Sequence, residues 1–316
     1  MNTLFRAWAC FVTTLMTFGL GGLPAGHAAL VAQWHFDEST GTTARDSAGS
    51  FHGALSATGA SFTPGGISGN AVNLDRATSG FVTMGNVLPL TSGDFSVVVW
   101  VKTTTTQTDT LVLAKHESGS ANGYFFAINQ TGGGGAPNKA TFVASESVAQ
   151  EATSASSVND GNWHQIVGVY QSVGSEFIYV DGAPAEATGL SKPVVINNAP
   201  FLVGGFNISG TPQGRYTGLV DEVQIYDQAL TASDVDFLFQ HPASSLQSTL
   251  EIQLAGTNVV LKWPSFMSNF VLQATIALGA PGSWITLTNV LPVAVGSNLT
   301  VTEPAAAPAK FYRLKK

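Results

Sequence analysis

The sequence is poor in cysteine and in charge. A single cysteine, Cys10, occurs in 316 residues, and it stands in an N-terminal stretch expected to be removed. The remaining chain then has no disulfide and no thiol, which excludes a cysteine nucleophile, an iron–sulfur site and Cys-ligated zinc. Charged residues make up only 10% of the chain, against about 25% in ordinary soluble domains. Long charged side chains are thus too few for a helical bundle or coiled coil. Basic residues are scarcer still, with 13 Lys and Arg against 20 Asp and Glu and a net charge of −7. That balance excludes a nucleic-acid-binding surface, which needs basic side chains to neutralise phosphates. Apolar content of 44% and aromatic content of 10% exclude disorder. Beyond residue 28 no apolar run is long enough to span a membrane.

The first 28 residues have the layout of an export signal. Arg6 precedes an uncharged stretch from Ala7 to Leu23, and Gly26 and Ala28 are small residues at cleavage spacing. The cut is expected between Ala28 and Ala29, leaving a protein that is secreted or held at the cell surface. A membrane anchor fits less well, because Thr and Gly interrupt the apolar stretch.

Charge divides the rest in two. Residues 29–240 hold 18 acidic and 7 basic residues, whereas residues 241–316 hold 2 acidic and 5 basic. The change falls at HPASSLQS, residues 241–248, whose Pro and Ser mark a linker between a larger domain (29–240) and a small module (249–316). The larger segment consists of short runs that alternate apolar and polar residues, such as DFSVVVWVKT, YFFAIN and HQIVGVYQ. Val, Ile, Phe, Tyr and Thr dominate them, as half-buried strands prefer. Asp181-Gly182 predicts a tight hairpin turn, since that pair accommodates positive φ angles. One helix is expected over Leu230–Phe239, with Thr231 and Asp234 spaced as a capping box. Trp34, Trp100 and Trp163 sit in apolar strand patterns and are expected in the core. The small module carries six further short strands, from LEIQLAG to KFYRLK. The chain therefore reads as all-β, a large antiparallel sandwich or jelly roll followed by a small immunoglobulin- or fibronectin-like sandwich.

Catalytic signatures are missing. No Glu-x-Asp-x-Glu pattern places paired carboxylates on one strand face, no G-x-S-x-G elbow occurs, and the histidines are scattered without an H-E-x-x-H helix. His164, beside Trp163, is expected to bond backbone at a strand edge. Tyr124, Phe126, Phe206 and Tyr216 lie near Gly-rich loops and are the candidates for a platform on which a sugar ring could stack.

Several ordered motifs carry a resemblance. WHFDESTGTTARDSAG opens the segment, followed by SGNAVNLD, FSVVVWVK, DGNWHQIVGVY, EFIYVDG and GLVDEVQIYDQAL. In this order they resemble the laminin-G-like, concanavalin A-like jelly-roll domains of secreted bacterial proteins. The resemblance implies a secreted, non-catalytic binding protein whose partner is a polysaccharide or an extracellular protein. The alternatives are a structural or adhesive surface protein that binds no sugar, and a glycoside hydrolase whose carboxylates converge from different strands. It also implies a structural Ca²⁺ where the opening and closing strands meet. Asp221 interrupts the apolar alternation of LVDEVQIY and is the first expected ligand. Asp37 is the second, with Asp46 and Asp75 as reserves.

Overall fold

The computed structural model describes residues 28–90, 93–119, 122–131, 134–144, 151–172, 174–188, 194–195, 197–246, 250–268, 270–277, 284–288, 290–296, 298–305 and 310–315. The expected export signal lies, apart from Ala28, outside the described residues.

Two eight-stranded antiparallel sheets face each other. The first runs in the order Ala183–Thr188, Ser175–Val180, Trp163–Gln171, Phe95–Lys102, Gly218–Tyr226, Asn70–Leu74 and Ala60–Pro64. Leu30–Trp34 also pairs with Gly218–Tyr226, so the opening strand does meet the closing one. The second sheet runs Ala152–Ser157, Lys139–Val143, Tyr124–Ile128, Thr110–Lys115, Leu202–Val203, Val82–Thr83, Gly53–Leu55 and Thr43–Ala44. Neighbouring strands are often far apart in sequence, and this interleaving makes the fold a jelly roll.

The alternation of side chains explains the core. Val97, Val99 and Val101 of one sheet meet Tyr124, Phe126 and Phe142 of the other, all buried. Trp34 stacks on Phe201 with ring centroids 5.7 Å apart, and Phe95 packs on Tyr124 at 5.1 Å. Gly168 makes room for this cluster, because a Cβ there would stand 2.6 Å from the Phe142 ring and 2.8 Å from that of Phe126. The expected hairpin is present, with Asp181 at φ 52° and Gly182 at φ 80° between paired strands.

The outer face of the first sheet is covered by the helix Ala232–Gln240, whose Thr231 and Asp234 form the expected capping box. Val235 and Leu238 bury against Val98, Val167, Val169 and Tyr226. Trp100 is buried beneath Phe239, with rings 5.7 Å apart and nearly parallel. Trp163, expected in the core, is instead half-buried at the start of its strand.

The stretch expected as a linker is also different, because residues 241–246 belong to the sandwich. Gln224 Nε2 donates to the Ser244 carbonyl at 2.8 Å, and the Leu246 amide donates to the Tyr226 hydroxyl at 3.1 Å. Leu246 is 1% exposed within the cluster under the helix. Pro and Ser suggested a flexible tether, but one leucine in reach of an apolar patch anchors the chain.

Residues 250–315 form two smaller sheets. One has the order Glu251–Ala255, Asn258–Pro264, Asn298–Pro304 and Val293–Val295; the other has Ile285–Thr286, Val271–Thr275 and Phe311–Lys315. Their core is a separate cluster of Leu261, Trp263, Met267, Leu272 and Val301.

Candidate functional site

Three of the four aromatic residues expected to stack on a sugar are not available for it. Tyr124 is 1% exposed and Phe126 and Tyr216 are 0% exposed. The Tyr124 hydroxyl donates to the Leu88 carbonyl and that of Tyr216 to the Leu219 carbonyl, at 3.2 and 3.1 Å. Strand parity is the reason. In YFFAI, residues 124, 126 and 128 point into the core, which sends Phe125 to the outer face of the second sheet.

Phe206 is the candidate that reaches the surface, and it has company. It is half-buried on the hairpin formed by Gly205–Ile208 and Thr211–Gly214. The His116 ring lies 6.4 Å from it at an interplanar angle of 15°, and the Phe125 ring lies 4.9 Å from His116. The Arg215 guanidinium carbon sits 5.6 Å from the Phe206 centroid, a cation–π arrangement. His116, Phe125 and Arg215 do not stand out as sugar contacts in the sequence, where they are up to 99 residues apart. Only the FF pair, one ring of which must face outward, hints at them.

The hairpin is held in place firmly. The amides of Arg215 and Tyr216 both donate to the Gly204 carbonyl, at 2.7 and 3.0 Å. Gly204 has φ +82°, and a Cβ there would stand 2.3 Å from Leu74 Cδ1, so only glycine lets the chain come this close. At the other end, Asn207 Nδ2 donates to the Glu117 carboxylate, and the Gly210 amide donates to Glu117 Oε1 at 3.4 Å. The His116 Nδ1–H donates to the Asn122 carbonyl at 2.7 Å. Burial lowers the His116 pKa, so the ring is neutral near pH 7 and offers Nε2 as an acceptor. Two buried polar atoms have no partner here, Asn207 Oδ1 and Arg215 Nε.

A shallow cleft of about 550 Å³ opens at one end of the sandwich, between residues 102–107, Gly161 and residues 217–219. Three of its threonine hydroxyls, those of Thr103, Thr105 and Thr217, are engaged in hydrogen bonds. Thr103 Oγ1 donates to the Thr217 carbonyl at 2.6 Å and accepts from the Thr105 amide at 3.0 Å.

The acidic groups do other work. Asp46, a reserve ligand, accepts amides of Gln33, Ala48, Gly49 and Phe51, each at 3.0 Å, and Asp75 caps a short 3-10 helix through the Ala77 amide. Glu176 is buried, with its two oxygens accepting the amides of Ala152 and Ala144 at 3.1 Å. His164, expected to bond backbone, instead joins two carboxylates, those of Asp181 and Asp160. None of these carboxylates lines the cleft.

Asp37 and Asp221 do converge on one turn. Asp37 Oδ1 accepts the Asn70 amide at 2.8 Å, and Asp221 Oδ2 accepts the Ser68 amide at 3.3 Å. A Cβ on Gly66 would stand 2.5 Å from Asp221 Oδ2, and one on Gly69 2.1 Å from Asp37 Oδ1. Burial and the adjacent buried Glu222 push the Asp221 carboxyl up to about 8. His35 Nδ1 lies 2.8 Å from the Glu222 carboxylate, a bond that raises the His35 pKa. Asp37, Asp221, Glu222 and His35 thus lie about the turn at residues 66–70. Among the described residues no three His, Cys, Asp or Glu side chains form a group that could hold a metal ion.

A family model described as "Concanavalin A-like lectin/glucanases superfamily" matches residues 76–236. The rat and mouse proteins called sushi, von Willebrand factor type A, EGF and pentraxin domain-containing protein 1 are each 31% identical over 130 residues, 38% of this chain. The match spans only 3% of the length of each. Among solved structures, domain 4 of AbnA is similar with a TM-score of 0.52 and 22% identity. AbnA is an extracellular GH43 arabinanase from Geobacillus stearothermophilus, and the domain was solved in complex with arabinotriose. The likeness covers 68% of this chain and 100% of that domain, and it is one of fold.

Proposed function

The chain belongs to the concanavalin A-like lectin/glucanases superfamily, and on that premise we propose that it is an exported, non-catalytic binding protein whose larger sandwich takes a saccharide on the Phe125–His116–Phe206–Arg215 row. The observation that carries this reading is Phe206 itself, a half-buried ring with the His116 ring 6.4 Å and the Arg215 guanidinium carbon 5.6 Å from its centroid. Rings of this kind offer a face to the apolar side of a sugar. His116 Nε2 and the Arg215 guanidinium edge offer bonds to its hydroxyls. The arabinotriose in complex with the similar AbnA domain fits a saccharide ligand without identifying the one used here. A glycan array probed with the chain beginning at Ala29 tests the reading. Binding that falls at least tenfold in Phe206→Ala and Phe125→Ala supports it, and no binding to any glycan overturns it.

A protein partner is the second reading, favoured by the small module. Among the described residues, eight of the nine exposed large hydrophobics lie there, including Leu254, Ile285 and Leu291 at 69%, 69% and 81% exposure.

A structural Ca²⁺ at Asp37 and Asp221 forms part of the proposal. It would neutralise the carboxylates around residues 66–70 and tie the opening and closing strands to that turn.

A further inference from the structure

Arg215 is an unusual residue in its surroundings. It is one of only 7 basic residues against 18 acidic ones over residues 29–240. A scarce cation in such a domain would be expected to sit beside a carboxylate, yet Arg215 makes no ion pair with any described residue. Its Nε is buried without a hydrogen-bond partner, and its Nη2 reaches only the neutral Gln213 Oε1, at 3.4 Å. The guanidinium is nevertheless held in place over the Phe206 ring by a backbone locked to Gly204.

A second arginine is near. The Arg76 amide donates to Thr217 Oγ1, two residues beyond Arg215, and Arg76 Nη1 donates to the Thr108 carbonyl at 3.0 Å. The Arg76 pKa is lowered first by burial and then by the charge of Arg215, with Asp109 opposing, so the two cations feel each other. Fixing two like charges together costs energy unless an anion joins them. Of the negative charges nearby, Asp109 acts on Arg76 and accepts from Thr131, and Glu117 is at the other end of the hairpin and is already occupied by Asn207 and Gly210, so neither pairs with Arg215. The row is therefore polarised, with hydrogen-bonding groups at Asn207 and positive charge at Arg215.

We propose that the saccharide bound here is acidic, with its ring against Phe206 and its carboxylate or sulfate on the Arg215 guanidinium. This rests on the saccharide reading above and narrows it to an anionic class. Guanidinium suits either group, since its planar donors match two oxygens of a carboxylate or sulfate.

The test is calorimetric titration of the chain beginning at Ala29 with oligogalacturonate, its methyl ester, a chondroitin sulfate tetrasaccharide, its desulfated form, and neutral arabino-, xylo- and cello-oligosaccharides. Esterification and desulfation remove the charge and leave the rings. At least one charged probe should bind at least tenfold more tightly than its neutralised form, and raising the salt should narrow the gap. Which of the two binds separates a uronate from a sulfated sugar. Arg215→Gln should abolish the difference while Arg215→Lys keeps part of it. If neutral and charged forms bind alike, the acidic assignment is wrong and the saccharide reading stands. If no probe of either kind binds, the saccharide reading falls and this inference with it. Should Arg215→Gln fail to fold, the comparison on the unaltered protein decides alone.

Discussion

His164 Nδ1 stands 2.7 Å from Asp181 Oδ2, so the strand Trp163–Gln171 is fastened to the hairpin turn that follows its neighbour. On the other side of the ring, Nε2 lies 3.0 Å from Asp160 Oδ1. The bond to Asp181 raises the His164 pKa above its ordinary value, with burial opposing and Asp160 adding to the rise.

A folded-state pKa raised for a histidine has a definite consequence for stability. The contribution is complete below the unfolded pKa of about 6.5 and is lost as pH rises through the folded value. The melting temperature should therefore fall from about pH 6 to about pH 8, and the fall should be smaller in His164→Gln. Equal slopes in the two proteins would show that the ring is not charged in the fold.

Glu176 makes a separate prediction. Burial pushes its carboxyl up to about 8, more than the Ala152 and Ala144 amides pull it down. The folded state then keeps a proton that the unfolded chain releases above about pH 4.5, so stability falls as pH rises between those values. Glu176→Gln cannot titrate, and its stability should be flatter over that range. It should also be less stable near pH 5 by about 1–3 kcal/mol, because an amide nitrogen now faces one of the two backbone donors. Chemical denaturation at several pH values measures both.

Calcium at Asp37 and Asp221 is tested by melting. If the ion binds only the folded chain, at 100 times its dissociation constant it stabilises by about 2.7 kcal/mol. A chelator should lower the melting temperature, excess Ca²⁺ should restore it, and Asp221→Ala should show neither response. An unchanged curve in chelator, with no metal by elemental analysis, would leave both carboxylates as acceptors for the amides of residues 66–70.

Leu246 should matter as much as a residue of the sandwich interior. Leu246→Ala is expected to cost about 2–5 kcal/mol, the range for emptying a buried leucine site. A chain ending at Leu246 should melt close to the intact larger domain, and one ending at Gln240 should melt well below it. Equal melting of the two truncated chains would return residues 241–246 to the role of a tether.

Much of this protein was legible in its sequence because the controlling interactions are local. Alternating side chains marked the strands, Asp181-Gly182 marked a turn whose φ angles suit that pair, and Thr231 with Asp234 marked the start of the helix. The charge contrast divided the chain at Gln240, whereas residues 241–246 pack with the larger sandwich. Period-two alternation defines two faces of a strand without saying which one turns inward. That decision came from the opposing sheet, where Gly168 leaves space for Phe126 and Phe142 and so sends Phe125 outward. The Phe206 row is a tertiary product for the same reason: His116, Phe125 and Arg215 meet only because the hairpin after Gly204 folds back across the strand Thr110–Lys115 and its extension. Leu246 likewise looks like linker in sequence, and only the apolar patch beneath the helix, assembled from strands more than a hundred residues apart, makes it part of the core.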